Sequence, residues 1–222
     1  MKRALLLLLV SLSAATASAI ELYEEVRVGY TNDVGITAGL RLAELSAEIP
    51  LFFSLSGGYI RQVEPGNAED ARGIFINDGT GGNIEEYGQS WHYGLDVGYE
   101  VLRQDALRVA AFGGARQNHY SASFAFIGDN EAFRVTTRQI GFGGGANLIL
   151  GAASQRVQFA LSGGAYYFVN ARFDAHGTFY YTPDGVDSQP RDEYTYEDAD
   201  DAVNQPRLRP FAEVGILLRL GD

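Results

Sequence analysis

A chain of 222 residues, 46 % of them hydrophobic, is long enough to bury the core of one domain of ordinary size. Its 28 acidic side chains outnumber the 17 basic ones, for a formal charge of −11, and this argues against a nucleic-acid partner, for which phosphate neutralisation dominates affinity. With no cysteine anywhere, a disulfide framework is excluded.

The first predicted element is a cleavable signal peptide at residues 1–19. Met1-Lys2-Arg3 forms a basic start, residues 4–10 an apolar block, and Ala17-Ser18-Ala19 a small-residue cleavage site. The apolar block is too short to cross a bilayer, which takes roughly 20 residues. Cleavage would leave one domain, residues 20–222, with 15 basic against 28 acidic side chains. No later stretch reads as a transmembrane helix, because Gly, Ser, Arg or an acid interrupts each apolar run within a few residues.

From residue 20 onward the dominant signal is alternation with period two, the mark of strands with two unlike faces. Eight strands are predicted, near residues 22–31, 35–44, 50–63, 89–102, 106–126, 133–150, 156–175 and 207–220. In the first, Glu24 interrupts the apolar face, and in the third Leu51, Phe53, Leu55 and Tyr59 share one face. The fourth is the clearest, with Trp91, Tyr93, Leu95, Val97 and Tyr99 on one face and His92, Gly94, Asp96, Gly98 and Glu100 on the other. The seventh sets Val157, Phe159, Leu161, Tyr167 and Phe173 against Gln158, Ser162, Tyr166, Arg172 and Asp174. In the eighth, Val214, Ile216, Leu218 and Leu220 share a face. Links near 45–49, 103–105 and 151–155 are short, whereas those near 64–88 and 176–206 are long and polar. With both termini on one side, every long loop falls on the other, as in transmembrane barrels.

Alternation alone does not say which face points inward. The polar faces carry Gly, Ser and Asn together with Glu25, Arg27, Arg41, Asp96, Glu100, Arg108, Arg116, Arg172, Glu213 and Arg219. Small residues and charges of both signs suit the narrow, side-chain-filled lumen of an eight-stranded barrel. The expected fold is therefore all-β: an eight-stranded antiparallel up-and-down transmembrane barrel with lipid-facing apolar residues. The other reading of the same pattern is a soluble sandwich whose charged faces are solvated, and a further one is a soluble periplasmic β-barrel that binds a small ligand.

At the C-terminal end, Glu213-Val214-Gly215-Ile216-Leu217-Leu218-Arg219-Leu220 resembles the β-signal of outer-membrane proteins, with Glu213, Gly215, Leu218 and Leu220 on its polar, glycine and apolar positions. Members of that family often end in Phe, whereas this sequence ends Leu220-Gly221-Asp222. Signal, strand count and β-signal together resemble the small outer-membrane barrels of the OmpA membrane-domain and OmpX type. The resemblance implies a Sec-type exported monomer in the outer membrane of a Gram-negative-type bacterium. The barrel-assembly machinery would insert it, and lipid and lipopolysaccharide would surround it. A peptidoglycan tether of the OmpA kind is not expected, and neither is a cofactor.

Three motifs bear on chemistry. Gly141-Phe142-Gly143-Gly144-Gly145 lies inside an alternating strand, so strand curvature and close packing explain it better than phosphate binding. His119-Tyr120-Ser121 resembles the His-Tyr-Ser segment of outer-membrane lipid A deacylases, in which His and Ser lie on the lipid-facing surface. There the segment continues Asn-Ala on the next-to-last strand; here Ala122-Ser123 follows, on the fifth. A His beside a Ser supplies the base that a nucleophile needs, with Glu131 the candidate to orient it. The third motif is the acidic segment between Asp184 and Asp201, where Asp198, Asp200 and Asp201 are candidates for Ca²⁺, although a solvated loop is the expectation. The leading expectation is a non-enzymatic structural or surface-interaction barrel with a filled lumen. The alternative is an acyl hydrolase acting on lipid A or phospholipid through His119 and Ser121.

Overall fold

A computed structural model describes residues 20–31, 33–44, 50–62, 64–79, 81–175, 179–186, 188–191 and 194–220. The predicted signal peptide, His176 and several members of the acidic segment (Asp187, Asp192, Glu193) lie outside the described residues. Ten strands form one antiparallel sheet: β1 (Glu21–Thr31), β2 (Val34–Ala43), β3 (Leu51–Gln62), β4 (Asn83–Gln104), β5 (Leu107–Ile127), β6 (Glu131–Leu150), β7 (Val157–Phe168), β8 (Phe173–Ala175), β9 (Phe179–Tyr181) and β10 (Leu208–Leu220). Each of β1 to β6 pairs with the next, β7 pairs with β10, and β10 pairs with β1, so eight strands close a ring. Two helices, α1 (Ala68–Phe75) and α2 (Tyr196–Ala202), lie in the segments read from sequence as long loops. No helix among the described residues is long and apolar enough to cross a membrane.

The alternation of the sequence becomes two unlike surfaces. Leu95 is 55 % exposed and Val97 41 %, while Asp96 between them is 5 % exposed and Glu100 7 %. The same holds around the ring, where Val26, Leu40, Leu55, Phe142, Phe159 and Val214 face outward and Arg27, Arg41, Ser54, Ser162 and Glu213 face inward. A closed sheet has no free edge, so the ladder amides of the ring find partners within it, the condition for backbone to lie within hydrocarbon.

Three strands are much longer than the rest: β4 has 22 residues, β5 has 21 and β6 has 20. Above the ends of β3 and β7 they continue as a wall of the same sheet, to which β8 and β9 add at the β6 edge. On β6 this wall is the stretch from Glu131 to Ile140, roughly 30 Å at about 3.3 Å per residue. Its tip is the Gly128-Asp129-Asn130 turn, where Gly128 (φ 107°) and Asn130 (φ 54°) take the left-handed conformation that these two residue types tolerate best.

The seventh predicted strand, 156–175, is corrected: it breaks after Phe168, and pairing resumes as β8 with an offset. Gly141 pairs with Phe168, and Thr137 pairs with Phe173, so three residues of β6 face four of the other strand. One extra residue reverses every side chain beyond it. Phe173 and Ala175 therefore turn inward and are fully buried, while Arg172, expected in the lumen, sits on the outer surface.

Candidate functional site

The lumen is filled from the terminal end upward. The Glu25 carboxylate pairs with both Arg27 and Arg41, and Arg27 also reaches Glu213 at 3.8 Å. The Thr37 hydroxyl donates to Glu213 at 3.1 Å. Glu100 holds Arg108 at 3.3 Å and Arg103 at 2.7 Å, and Arg108 donates onward to Gln158. Arg219 lies at the rim, paired with Glu21 at 3.1 Å. Higher in the barrel, Asp96 accepts from the Tyr166 hydroxyl and lies 4.0 Å from Arg116. Nine of the ten predicted lumen charges thus lie on the inner face, and Arg172 does not.

Sequence reading missed the aromatic rings and the amide chain that share this space. Guanidinium groups stack on rings throughout the lumen: Arg41 lies 4.3 Å from the Phe52 ring centre, Arg116 4.0 Å from that of Tyr166, and Arg209 5.3 Å from that of Phe168. Such contacts offset part of the desolvation cost that buried ions carry. Phe52 and Phe168 have room because the neighbouring inward positions are Gly98 and Gly141, where a Cβ would run into the ring. Arg209 donates to Ser90 at 2.7 Å and to Asn118 at 3.1 Å. Asn118 donates in turn to Gln139, which donates to the Pro206 carbonyl at 3.0 Å. The signal was present in parity, since Phe52 keeps step with Ser54, Phe211 with Glu213 and Tyr23 with Glu25.

Above the ring, the inner face of the β4–β6 wall is apolar, and the two helices cover it. Tyr120, Phe124, Phe126, Phe133 and Val135 of the wall pack with Ile74 and Phe75 of α1, Phe173 and Tyr181 of the β8–β9 pair, and Tyr196, Ala199 and Val203 at α2. The long segments are thus a folded cap with its own core. Asn67 caps α1, accepting from the Glu69 and Asp70 amides, and Thr195 with Asp198 forms a reciprocal capping box on α2. Those Thr195 bonds hold the Asp198 carboxyl below the usual carboxylate range. Burial, then the charge of Glu64, pushes Glu86 of the wall above it. The buried Arg72 of α1 ties the cap to the β5–β6 turn through Glu131 at 2.5 Å and Asp129 at 3.2 Å, lying 4.3 Å from the centre of the Phe126 ring. The helices meet where Asn67 N–H donates to the Ala202 carbonyl, and the Tyr120 hydroxyl joins wall to cap through the Pro65 carbonyl at 2.9 Å.

His119 and Ser121 do share the outer face, in a groove also lined by Gln89, Trp91, Arg134 and Arg138. Glu131 does not join them. It faces inward, bound to Arg72 and to Asn77 at 2.6 Å, and pairs along the ladder with Phe126, five residues beyond Ser121. The Ca²⁺ candidates are likewise dispersed in role: Asp198 caps α2, and Asp200 accepts from Gln205 and Arg207. No group of three acids or histidines that could hold a metal occurs among the described residues. Of the β-signal positions, Glu213 and Gly215 belong to the inner face and Leu218 and Leu220 to the outer. Gly215 leaves space for the Arg27 side chain, and β10 itself closes the ring against β1.

No protein-family model and no curated protein matches the sequence. Solved structures do. A crystal structure of a major outer membrane protein from Thermus thermophilus superposes with a TM-score of 0.71 at 21 % identity, over 91 % of this chain and 100 % of that one. The chain has the fold of an outer-membrane β-barrel. CarO2 of Acinetobacter baumannii also matches, at 15 % identity with a TM-score of 0.42, over 90 % of this chain and 99 % of that one.

Proposed function

We propose that the protein is an integral outer-membrane barrel with a sealed lumen that conducts no sizeable solute and holds a folded cap at the cell surface. In this reading residues 1–19 direct export and are removed, and the final strand is what the assembly machinery recognises. The apolar belt sits among lipid, and the cap faces the medium as a surface for contact with other molecules. The single observation that carries it is the packing of the lumen, where the Glu25–Arg27–Arg41–Glu213 and Glu100–Arg108 groups fill the lower barrel and the Arg209–Asn118–Gln139 chain runs up to the cap. An eight-stranded ring is just wide enough for such side chains to fill it. The location is supported by the outward belt, because a water-soluble barrel would not display Leu55, Phe142 and Phe159 each at 60 % exposure or more.

Planar-bilayer recording on refolded protein tests the sealed lumen. Silence, or brief openings of small amplitude, is expected; large steady currents would refute it.

A second reading, an acyl hydrolase, has one observation in its favour: His119 and Ser121 line one groove. We propose the non-enzymatic reading over it because the candidate acid is committed to Arg72 on the opposite face of the wall. Purified protein incubated with lipid A is expected to release no acyl chain. Release that disappears in Ser121→Ala would reverse the choice.

A further inference from the structure

The groove around His119 differs from the rest of the outer wall. Arg134, Thr136 and Arg138 are alternate residues of β6, so all three point outward, and all three are exposed. Arg134 donates to the Ser123 hydroxyl at 3.2 Å, and among the described residues neither Arg134 nor Arg138 has a carboxylate partner. Arg172 joins them because of the extra residue before β8. It is held by Asp174 at 2.6 Å and lies 3.9 Å from the centre of the Tyr180 ring. A cationic groove on a chain of charge −11 is a local reversal of sign.

Trp91 forms one edge of this groove, half exposed and 4.8 Å from Tyr59, ring centre to ring centre. Its other side belongs to a second, apolar notch of about 520 Å³ lined by Ile36, Ala38, Gly57, Gly58, Tyr59 and Tyr93. Gly57 pairs with Ala38 on one side and Tyr93 on the other, so two minimal side chains leave a furrow between large ones. Along β4 the cationic groove meets Gln89 and Trp91, and the notch meets Trp91 and Tyr93, one step nearer the termini. Cationic and apolar sites therefore adjoin across one indole, an arrangement suited to an aromatic ring that divides headgroups from acyl chains.

We infer that this wall binds a membrane lipid with an anionic phosphate headgroup, the phosphate held by Arg134 and Arg138 and one acyl chain lying in the notch beside Trp91. Guanidinium groups match phosphate oxygens in pairs, and the serine and threonine hydroxyls beside them supply further donors. The assignment rests on the membrane placement proposed above and is independent of whether the lumen conducts.

Trp91 is the only tryptophan in the chain, so its fluorescence reports on this wall alone. The full-length mature protein in neutral detergent micelles is titrated with phosphatidic acid carrying brominated chains, which quench a tryptophan they touch. Brominated diacylglycerol serves as the uncharged control and glycerol 3-phosphate as the headgroup alone. An arginine facing an anionic lipid is worth about 1 kcal/mol, or roughly fivefold in affinity. Half-quenching by phosphatidic acid is therefore expected at about 25-fold lower mole fraction than by diacylglycerol. In R134Q/R138Q that preference should collapse to near unity while quenching by diacylglycerol persists, which reports an intact notch. R134K/R138K should keep most of it. Equal quenching by both lipids in the unaltered protein, or an undiminished preference in R134Q/R138Q, overturns the inference. Protection from quenching by glycerol 3-phosphate at equal concentration would reassign the groove to free phosphate esters. Absence of quenching by either lipid would overturn the membrane placement of the belt itself, a distinct failure.

Discussion

Removing the Glu25 carboxylate is the sharpest test of the sealed lumen proposed above. Glu25 is 4 % exposed and is the ion-pair partner of Arg41, itself 2 % exposed, while Arg27 keeps Glu213 at 3.8 Å. Glu25→Gln keeps the shape and removes the charge with which the buried Arg41 guanidinium pairs, leaving the Phe52 ring beside it. Stranding one member of a buried pair costs about 3–5 kcal/mol. With a urea dependence near 3 kcal/mol per molar for a chain of this size, the unfolding midpoint should fall by roughly 1–2 M. The assay is urea unfolding of refolded protein in detergent, followed by far-ultraviolet circular dichroism. The double variant E25Q/R41M removes both charges and should recover to within about 1 kcal/mol of the unaltered protein, because apolar replacement of a whole pair is often neutral. A shift below about 0.3 M in E25Q, or a double variant no better than the single one, would show that the lumen charges are solvated and that the packing argument is wrong.

Gly98→Ala sets a methyl group into the Phe52 ring and within 2.9 Å of the Ala111 carbonyl oxygen, and should destabilise the barrel by about 1–3 kcal/mol, with F52L in the same chain restoring only the part due to the ring in the same unfolding assay. Arg72→Met should leave the ring intact but release α1 from the β5–β6 turn, costing the cap about 2–3 kcal/mol, read as faster amide exchange over residues 68–75 without change in the barrel amides. Thr195→Ala removes the capping box and should cost α2 about 1 kcal/mol, read as lost exchange protection in residues 196–202. Because the same bonds depress the Asp198 pKa, their contribution is fully present above the unfolded carboxylate value and is lost as pH falls through the folded one, so α2 should fray first in acid.

Strand periodicity was legible because outward-facing and inward-facing residues must alternate along a strand, and side-chain polarity records that directly. Leu95, Asp96, Val97 and Glu100 told their own orientation, and the eight segments that close the ring were all located from the same signal. The cap was not legible: α1 and α2 have seven or eight residues each, too few for a clear helical period, and their acidic outer faces resemble solvated loop.

By itself, then, the sequence determined the unlike faces of the sheet, since polarity along a strand depends on whether its side chains face out of the ring or into it. Tertiary structure alone decided what lies beyond that rule. One extra residue before Phe173 moved Arg172 from the lumen to the outer wall and buried Phe173 in its place. Chain folding also took Glu131 away from His119 to Arg72, and set Arg134 and Arg138 beside Trp91, although more than 40 residues separate them. Register and pairing between distant strands make those choices, and a strand's own pattern does not encode its partner's offset.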